Sequence, residues 1–534
     1  MMRGYRRLKH ANRLHAIGKL KEALTLAKLT ARRNPSRTIF GAGATSAEIA
    51  TRQFLLARIG GLGLNKAVLL AEGGQHAAIF HPMPSEWRRA FREQGFAVAE
   101  FRSAIAWGLF VVAFFLYGVS ALGGHAVRNL RASVSSARES RARHSHFDSI
   151  AAGNLPRPAR DGRSHDVITW YLQWPGRARD IAEISHTVRS AAPHTVGTVR
   201  IRSVPAFCPP LTDLASALRY LFWGLGAIAV ASLKLCRGDW WHAIMVKEAA
   251  AAALVRMQRA DRLARDYLFS NTTWIHRPLW TYEAAQRGSR IVMYFYSTNC
   301  ESFKRPDGYP EVTFGYGAMN WPLYLVWDQY QADFVRRAAG SNSAVEVVGP
   351  IWFQGSQTEM PAIGDRSVAV FDVQPHRESQ YRVLGLDMEY FVPTTVNQFL
   401  LDIDAAVRER DGVVVLKRKR EIGRLRHSKY RTLVDSLSKA SNFVAIAPET
   451  SALRVIEACD AVISMPFTST ALLGKHVGKP SVYYDPFGVV QKDDRAAHGI
   501  AVLCGVNELR TWLTQVLAPM PRRLDTQRTA RASQ

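Results

Sequence analysis

From Ser367 to Pro486 short apolar runs alternate with helix-length stretches of mixed polarity: SVAVFDV then NQFLLDIDAAVRERDG, VVVLKRKR then YRTLVDSLSKA, NFVAIAP then SALRVIEACD, AVISMPF then STALLGKHVG, and finally PSVYYDP. Runs rich in Val and Ile with no polar alternation mark strands buried on both faces, and the intervening stretches are long enough to be crossover helices. A chain written this way folds into a mostly parallel, doubly covered sheet. Ligands of such sheets bind beyond the C-terminal ends of the strands.

A less regular series precedes it. KAVLLAEGG from residue 66 is read as a buried strand, PSEWRRAFREQG as a helix with a glycine stop, and FAVAEF as a second strand, which makes a βαβ unit. DVITWYLQW from 166, RDYLFSN from 265, the helix RPLWTYEAAQRG, the strand SRIVMYFYS, and then NWPLYLVWDQY and VEVVGPIWF continue the alternation. The expected fold is therefore α/β: two Rossmann-like domains facing a cleft, with an N-terminal helical extension and apolar membrane-associating helices. The divisions are residues 1–40 (a basic amphipathic helical segment, apolar at Leu8, Ala11, Leu14, Ile17, Leu20 and Leu24), 41–350 (first domain, with apolar insert helices at 104–122 and 214–236), 366–518 (second domain) and 519–534 (a basic tail). The stretch GPIWFQGSQTEMPAIGDRS joins the two domains.

Composition narrows the partners. The chain has 534 residues, 47% hydrophobic and 21% charged, which excludes general disorder. Its five cysteines are scattered, odd in number and without metal-ligand spacing, which argues for a reducing compartment and against a zinc site. The N-terminus lacks the apolar core of a secretory signal. Seventy basic against 44 acidic residues give a formal charge of +26, which favours anionic partners. Zinc-finger spacing, aromatic stacking signatures and Gly-rich RNA-binding loops are missing from the sequence, so no nucleic acid is expected.

AIAWGLFVVAFFLYGVSAL, residues 104–122, is uncharged over a length that could cross a bilayer, and YLFWGLGAIAVASLKL from 220 is a shorter relative. The segment between them is rich in arginine (Arg128, Arg131, Arg138, Arg141, Arg143, Arg157, Arg160, Arg163, Arg177, Arg179), which opposes a two-span hairpin by the positive-inside tendency. The expectation is a peripheral or monotopic attachment to the cytoplasmic face of the inner membrane, with 104–122 a possible single transmembrane segment and the 220 segment a buried core helix. The anionic membrane surface is thus an expected partner.

The candidate chemistry lies at the strand ends. In CDAVISMPFTSTALLGKHVGKPSVYYDP, Thr468, Ser469 and Thr470 stand where a strand hands over to a helix, whose first amides lack intrahelical partners and attract anions. The three hydroxyls are read as donors to phosphate oxygens, although Thr468 or Ser469 would equally serve as a plain helix cap. Lys417, Arg418, Lys419 and Arg420 end VVVLKRKR and supply positive charge for phosphate, and a solvated basic run is the plainer reading. Glu449 could accept from a ribose or sugar hydroxyl or merely complement a helix dipole; Thr450 or Ser451 caps that helix, and Glu457 is a second carboxylate within it. Asp372, Gln374, His376 and Arg377 follow the first strand of the second domain and are placed to meet a donor diphosphate or an acceptor.

Pro466, Phe467, Thr468 and Ser469, with the following ALLGKHVGKPSVYYDP, resemble the bacterial polysaccharide biosynthesis proteins named for a Pro-Phe-Thr-Ser (PFTS) motif, over residues 270–510. That resemblance implies a glycosyltransferase of GT-B architecture that moves a sugar from a nucleotide-sugar donor to a lipid-linked or growing glycan acceptor in surface polysaccharide (capsule or O-antigen) biosynthesis. A wider likeness is to bacterial sialyltransferases of the same architecture, which carry a hydroxyl pair at this turn and an acidic-Gly motif for the base. Here VVVLKRKR stands where those enzymes carry His-Pro, while Glu72 in LLAEGGQH resembles the acidic-Gly motif. An inverting transfer needs a base and groups that stabilise the departing phosphate. Glu72 is the first candidate base, with Asp328 and His276 in reserve. No Asp-x-Asp signature is present, so no metal or other cofactor is expected besides the nucleotide-sugar substrate. A polyol-phosphate transferase of the same architecture and a non-catalytic lipid- or glycan-binding scaffold are the alternative functions.

Overall fold

The computed structural model of the chain describes residues 1–11, 13, 44–134, 143–156, 166–189, 193–272, 275–298, 300–310, 312, 315–351, 360–375, 390–418, 423, 426–448 and 450–518. Contacts divide it into two units, the first built on Met1–Ser302 and Tyr309–Gln354, the second on Phe303–Gly308, Gly355–Arg377 and Tyr390–Gln534.

The second unit follows the alternation seen in its sequence. Strands β9 (Ser367–Phe371), β10 (Val413–Lys417), β11 (Phe443–Ile446), β12 (Ala461–Ser464), β13 (Ser481–Asp485) and β14 (Ala501–Cys504) form one sheet in the order β11-β10-β9-β12-β13-β14. Every pairing in it is parallel. Strands β9 and β12 are buried at every position, as their unbroken apolar runs require. The helix Ser469–His476 lies so close to the sheet that a Cβ on Gly474 would stand 2.3 Å from Ser481 Oγ and 2.7 Å from Val462 Cγ2. Chain order reverses between β9 and β12, so the crevice of a doubly wound sheet opens there.

The first unit has the same logic with a less legible sequence. Its strands are β1 (His144–Asp148), β2 (Glu183–His186), β3 (His194–Val196), β4 (Val199–Ser203), β5 (Asp266–Ser270), β6 (Arg290–Tyr294), β7 (Leu323–Val326) and β8 (Val345–Val347), in the order β3-β4-β2-β1-β5-β6-β7-β8. All pairings are parallel except β3 with β4. The reversal here falls between β1 and β5. The expected two Rossmann-like sheets are therefore both present.

Three expected strands are not. KAVLLAEGG lies in the helix Leu62–Glu72, which buries Leu64, Val68 and Leu69 at helical spacing; Ala and Leu dominate it, and these favour a helix. FAVAEF contributes only a single bridge, Ile79 to Val98, before Glu100 opens a long helix, so no βαβ unit forms there. DVITWYLQW is the helix Val167–Gln173, fixed by Asp166, whose Oδ1 accepts from the amides of Ile168 (2.9 Å) and Thr169 (2.8 Å).

At the N-terminus the helix Met2–His10 buries Tyr5 and Leu8 and packs on Leu62–Glu72, so closely that a Cβ on Gly4 would stand 2.1 Å from the Leu69 carbonyl oxygen. Most of the expected amphipathic stretch beyond it lies outside the described residues. The 104–122 segment is the centre of the 35-residue helix Glu100–Val134, and the 220 segment lies within the 23-residue helix Leu214–Cys236. Both are long and apolar enough to cross a membrane by length and composition. The second was expected to be a core helix, but it buries only one side (Ala217, Tyr220, Gly224, Ala227, Ala231) and exposes Leu214, Leu218, Phe222, Leu225 and Leu233.

Candidate functional site

The PFTS turn begins where β12 leaves the sheet. Met465 is pinned to the end of β9, its amide donating to the Phe371 carbonyl (2.8 Å) and its sulfur accepting from Val373 N (3.3 Å). Phe467 then takes φ +63°, a left-handed conformation that non-glycine residues rarely adopt. Packing holds it there, with Phe303 at 4.9 Å and Tyr483 edge-on at 5.6 Å between ring centroids.

The hydroxyls of this turn face inward. Thr468 donates to the Met465 carbonyl (2.9 Å), which uses its single proton. The 3.2 Å contact between Thr468 and Thr470 must then be donated by Thr470, and the 2.8 Å contact between Thr470 and Ser464 by Ser464. Tyr483 adds a bond to the Thr468 carbonyl (3.0 Å). The reading of three hydroxyls directed at phosphate is corrected accordingly: the protons of Thr468 and Thr470 are committed to closing the turn. Ser469 opens the helix and is half-buried. Among the described residues no side chain caps that helix, although Thr468 occupies the capping position. Its first-turn amides and dipole therefore remain the anion-attracting element of the turn.

Across the crevice, the end of β9 carries Asp372. It is buried, its Oδ2 accepts from the Tyr430 hydroxyl, and its Oδ1 is buried without a hydrogen-bond partner among the described residues. Burial pushes this carboxyl up to about 6, against the opposing pull of the Tyr430 hydrogen bond and the charges of Arg418 and Arg426. Tyr430 and Arg426 were not among the expected site residues. Tyr430 shares a buried helix face with Val434 and Leu437, a pattern visible in the sequence, but its partner lies 58 residues away. Gln374 is also buried at this rim.

Lys417, expected to neutralise phosphate, is buried, and its ammonium donates to the carbonyls of Arg418 (3.0 Å) and Pro448 (3.2 Å). It ties the end of β10 to the loop after β11. Ser451 is buried at the start of the helix Ala452–Ala458 and makes no capping bond. His376, Arg377, Lys419, Arg420 and Glu449 lie outside the described residues.

The first unit carries its own cluster at the β1/β5 reversal. Asp148 ends β1, accepts from Ser149 Oγ (2.7 Å), and is pushed up by burial, opposed by that hydrogen bond, with the charge of Glu248 adding to the rise. His276 stands edge-on to Phe54, and its Nε2 is buried without a partner among the described residues. Burial pulls His276 below its ordinary value, opposed by Glu248, so the ring is neutral at pH 7 and able to accept a proton. Asp148 was missed because HSHFD does not read as a strand.

The other two expected bases sit elsewhere. Glu72 ends a helix rather than a strand, 3.8 Å from the Arg13 guanidinium, and Gly73 and Gly74 follow that helix rather than a sheet edge. Asp328 caps the helix Gln329–Ala339, accepting from Gln331 N (2.9 Å). Among the described residues no group of three His, Cys, Asp or Glu side chains is placed to hold a metal ion.

Comparison with solved structures gives low-similarity matches. The UDP-GlcNAc 2-epimerase of Methanocaldococcus jannaschii matches at 7% identity and TM-score 0.35, over 71% of this chain and 93% of the epimerase. Arabidopsis thaliana UGT89C1, complexed with quercetin, matches at 11% identity and TM-score 0.36, over 71% and 91%. S. aureus TarM, in complex with Fondaparinux, alpha-GlcNAc-glycerol and UDP, matches at 8% identity and TM-score 0.31, over 51% and 52%. No curated protein matches in sequence. The family model described as polysaccharide biosynthesis PFTS motif protein matches residues 223–513, a span that holds β5 to β14 and the whole Pro466–Ser469 turn. With that turn seated at the reversal of a doubly wound sheet and more than half of the chain matched, this protein belongs to the polysaccharide biosynthesis PFTS motif family.

Proposed function

We propose that the protein is an inverting glycosyltransferase that moves a sugar from a nucleotide-sugar donor to a lipid-linked or growing glycan, at the cytoplasmic face of the inner membrane. The observation that carries this reading is the β9/β12 reversal of the second unit. An uncapped helix N-terminus stands on one side of that crevice and the buried Asp372–Tyr430 pair on the other. The helix end suits the donor's phosphate. Ser469 stands at the first position of that helix, beside those amides, while Thr468 and Thr470 spend their protons on closing the turn. Arg418 and Arg426 bring positive charge to the same rim.

In the transfer, an acceptor hydroxyl oxygen forms a bond to the anomeric carbon while the bond from that carbon to the phosphate oxygen breaks. The hydroxyl proton passes to a base, and the electron pair leaves with the nucleotide. Within the first unit His276 and Asp148 are the groups with the character of a base: the ring is neutral, and the raised carboxyl has greater basicity than an exposed aspartate. The helix dipole offsets charge gathering on the departing phosphate.

The test is incubation of the purified full chain with membranes and a panel of nucleotide sugars carrying label in both the sugar and the β-phosphate. Transfer of the sugar label alone supports the proposal. Transfer of both labels identifies a polyol-phosphate or sugar-phosphate transferase instead. A chain that binds and turns over no donor is a scaffold, and that outcome overturns the enzyme reading.

A further inference from the structure

The helix Trp241–Met257 is buried over nearly all of its length and belongs to the same core as Tyr267, Phe269 and Trp280 of the first sheet and its neighbouring helix. The helices Glu100–Val134 and Leu214–Cys236 lie over it as an outer layer. Gly118 touches Val246 and Lys247 closely enough that a Cβ would stand 2.8 Å from Val246 Cβ. Gly224 admits Leu122 in the same way, with a Cβ 2.6 Å from Leu122 Cδ2. Trp107 meets Trp240, just past the second outer helix, at 4.9 Å, and Asn129 accepts from Leu211 N, just before it, at 3.1 Å, so the two outer helices run antiparallel.

An outer helix of a water-soluble domain turns a polar face to solvent. These two do the opposite: Phe101, Leu109, Leu116, Leu214, Phe222 and Leu225 are exposed, at helical spacing along each helix. A contiguous apolar surface of this kind marks an interaction site. Exposed arginines stand at its two ends, Arg102 with Arg237 and Arg131 with Arg219. The acids at those ends are engaged, Glu100 with Arg88 and Arg92 and Asp213 with the Ser216 amide.

What lies beneath these helices opposes their crossing a bilayer. Helix 100–134 packs its middle on helix 241–257, with Gly118 against Val246 and Lys247, and a transmembrane placement would carry that helix and the sheet behind it into hydrocarbon. Lys247 makes the same point locally: it is exposed and lies 4.8 Å over the ring of Tyr117, at the middle of the long helix. A spanning helix would put that ammonium at the bilayer midplane, where charge is costly. In a helix lying flat it reaches the head groups at the edge of the apolar stripe.

We infer that Glu100–Val134 and Leu214–Cys236 form a monotopic mount that lies in the plane of one anionic leaflet, with the apolar stripe in the acyl region and the terminal arginines and Lys247 on lipid phosphates. This deepens the membrane part of the proposed function and is independent of the sugar chemistry, so failure of one leaves the other standing. Flotation of the full chain with vesicles of phosphatidylglycerol and phosphatidylethanolamine tests the surface. The wild type floats with them, and the Leu109→Glu/Leu116→Glu variant, altered at side chains 67% and 60% exposed, keeps its circular dichroism and loses flotation by more than about tenfold. Equal flotation of the variant overturns the proposal, as does a wild type that ignores vesicles and forms a dimer that the variant breaks.

Topology is read in membrane vesicles of known orientation with a membrane-impermeant maleimide. Cys236, the exposed native thiol, and Val134→Cys in a Cys236→Ser background mark the two ends of the mount. Labelling of both from the cytoplasmic side agrees with a flat mount, and labelling from opposite sides contradicts it.

Discussion

Replacing Asp372 with asparagine should make the protein more stable at neutral pH while damaging its site. The carboxyl is buried with one oxygen unpartnered among the described residues, and its value in the folded chain, about 6, stands above the ordinary 3.8. Between those values the folded chain holds a proton that the unfolded chain has released. Stability therefore falls as pH rises from about 4 to about 6, and the loss is complete above the folded value. At about 1.4 kcal/mol per pKa unit the gap amounts to about 3 kcal/mol. Asparagine keeps an oxygen for the Tyr430 hydroxyl and never ionises, so it escapes that cost. Urea unfolding of wild type and Asp372→Asn at pH 4, 5, 6 and 7 measures the difference. It should be near zero at pH 4 and grow to about 2–3 kcal/mol in favour of the variant at pH 7. A difference that stays constant across this range refutes the reasoning, because it would mean that Asp372 does not carry the titration.

Further outcomes follow from the same geometry. Gly474→Ala forces a Cβ against Ser481 and Val462 and should destabilise by about 1–3 kcal/mol in the same urea assay. Thr468→Val removes the bond to the Met465 carbonyl and should cost about 1 kcal/mol of stability. Ser469→Ala, at the first position of the helix, should raise the donor KM, measured by initial rates with the labelled donor. If His276 is the base, kcat/KM should hold steady down to pH 6.5 and fall only below it, because burial lowers the ring's value; a His276→Asn variant should lose that acid limb.

The second unit was legible because β9, β10 and β12 are unbroken apolar runs, which only a doubly covered parallel sheet accommodates. The first unit was not, because its central strands carry polar residues satisfied by distant partners. In β1, Ser145 meets the Tyr171 hydroxyl (2.8 Å), and Tyr171 donates to Asp266 on β5 (2.7 Å). His146 meets Ser185 on β2 (2.9 Å). Periodicity cannot register such pairs, since they exist only once the strands are side by side. The same limit applies to the site. Sequence position placed Asp372 and Thr468 at strand ends correctly, but the inward chain of hydroxyls from Ser464 to Met465 and the Tyr430 hydrogen bond depend on tertiary placement. Glu72 misled because an acid followed by two glycines closes a helix as readily as a strand.

Hydrogen exchange of the backbone amides between Met465 and Leu473, with and without saturating nucleotide diphosphate or nucleotide sugar, tests most directly whether the uncapped helix end receives a phosphate. Slower exchange at Ser469, Thr470 and Ala471 on addition of nucleotide is the predicted result. A nucleotide that binds and protects other segments while leaving these amides unchanged contradicts the account.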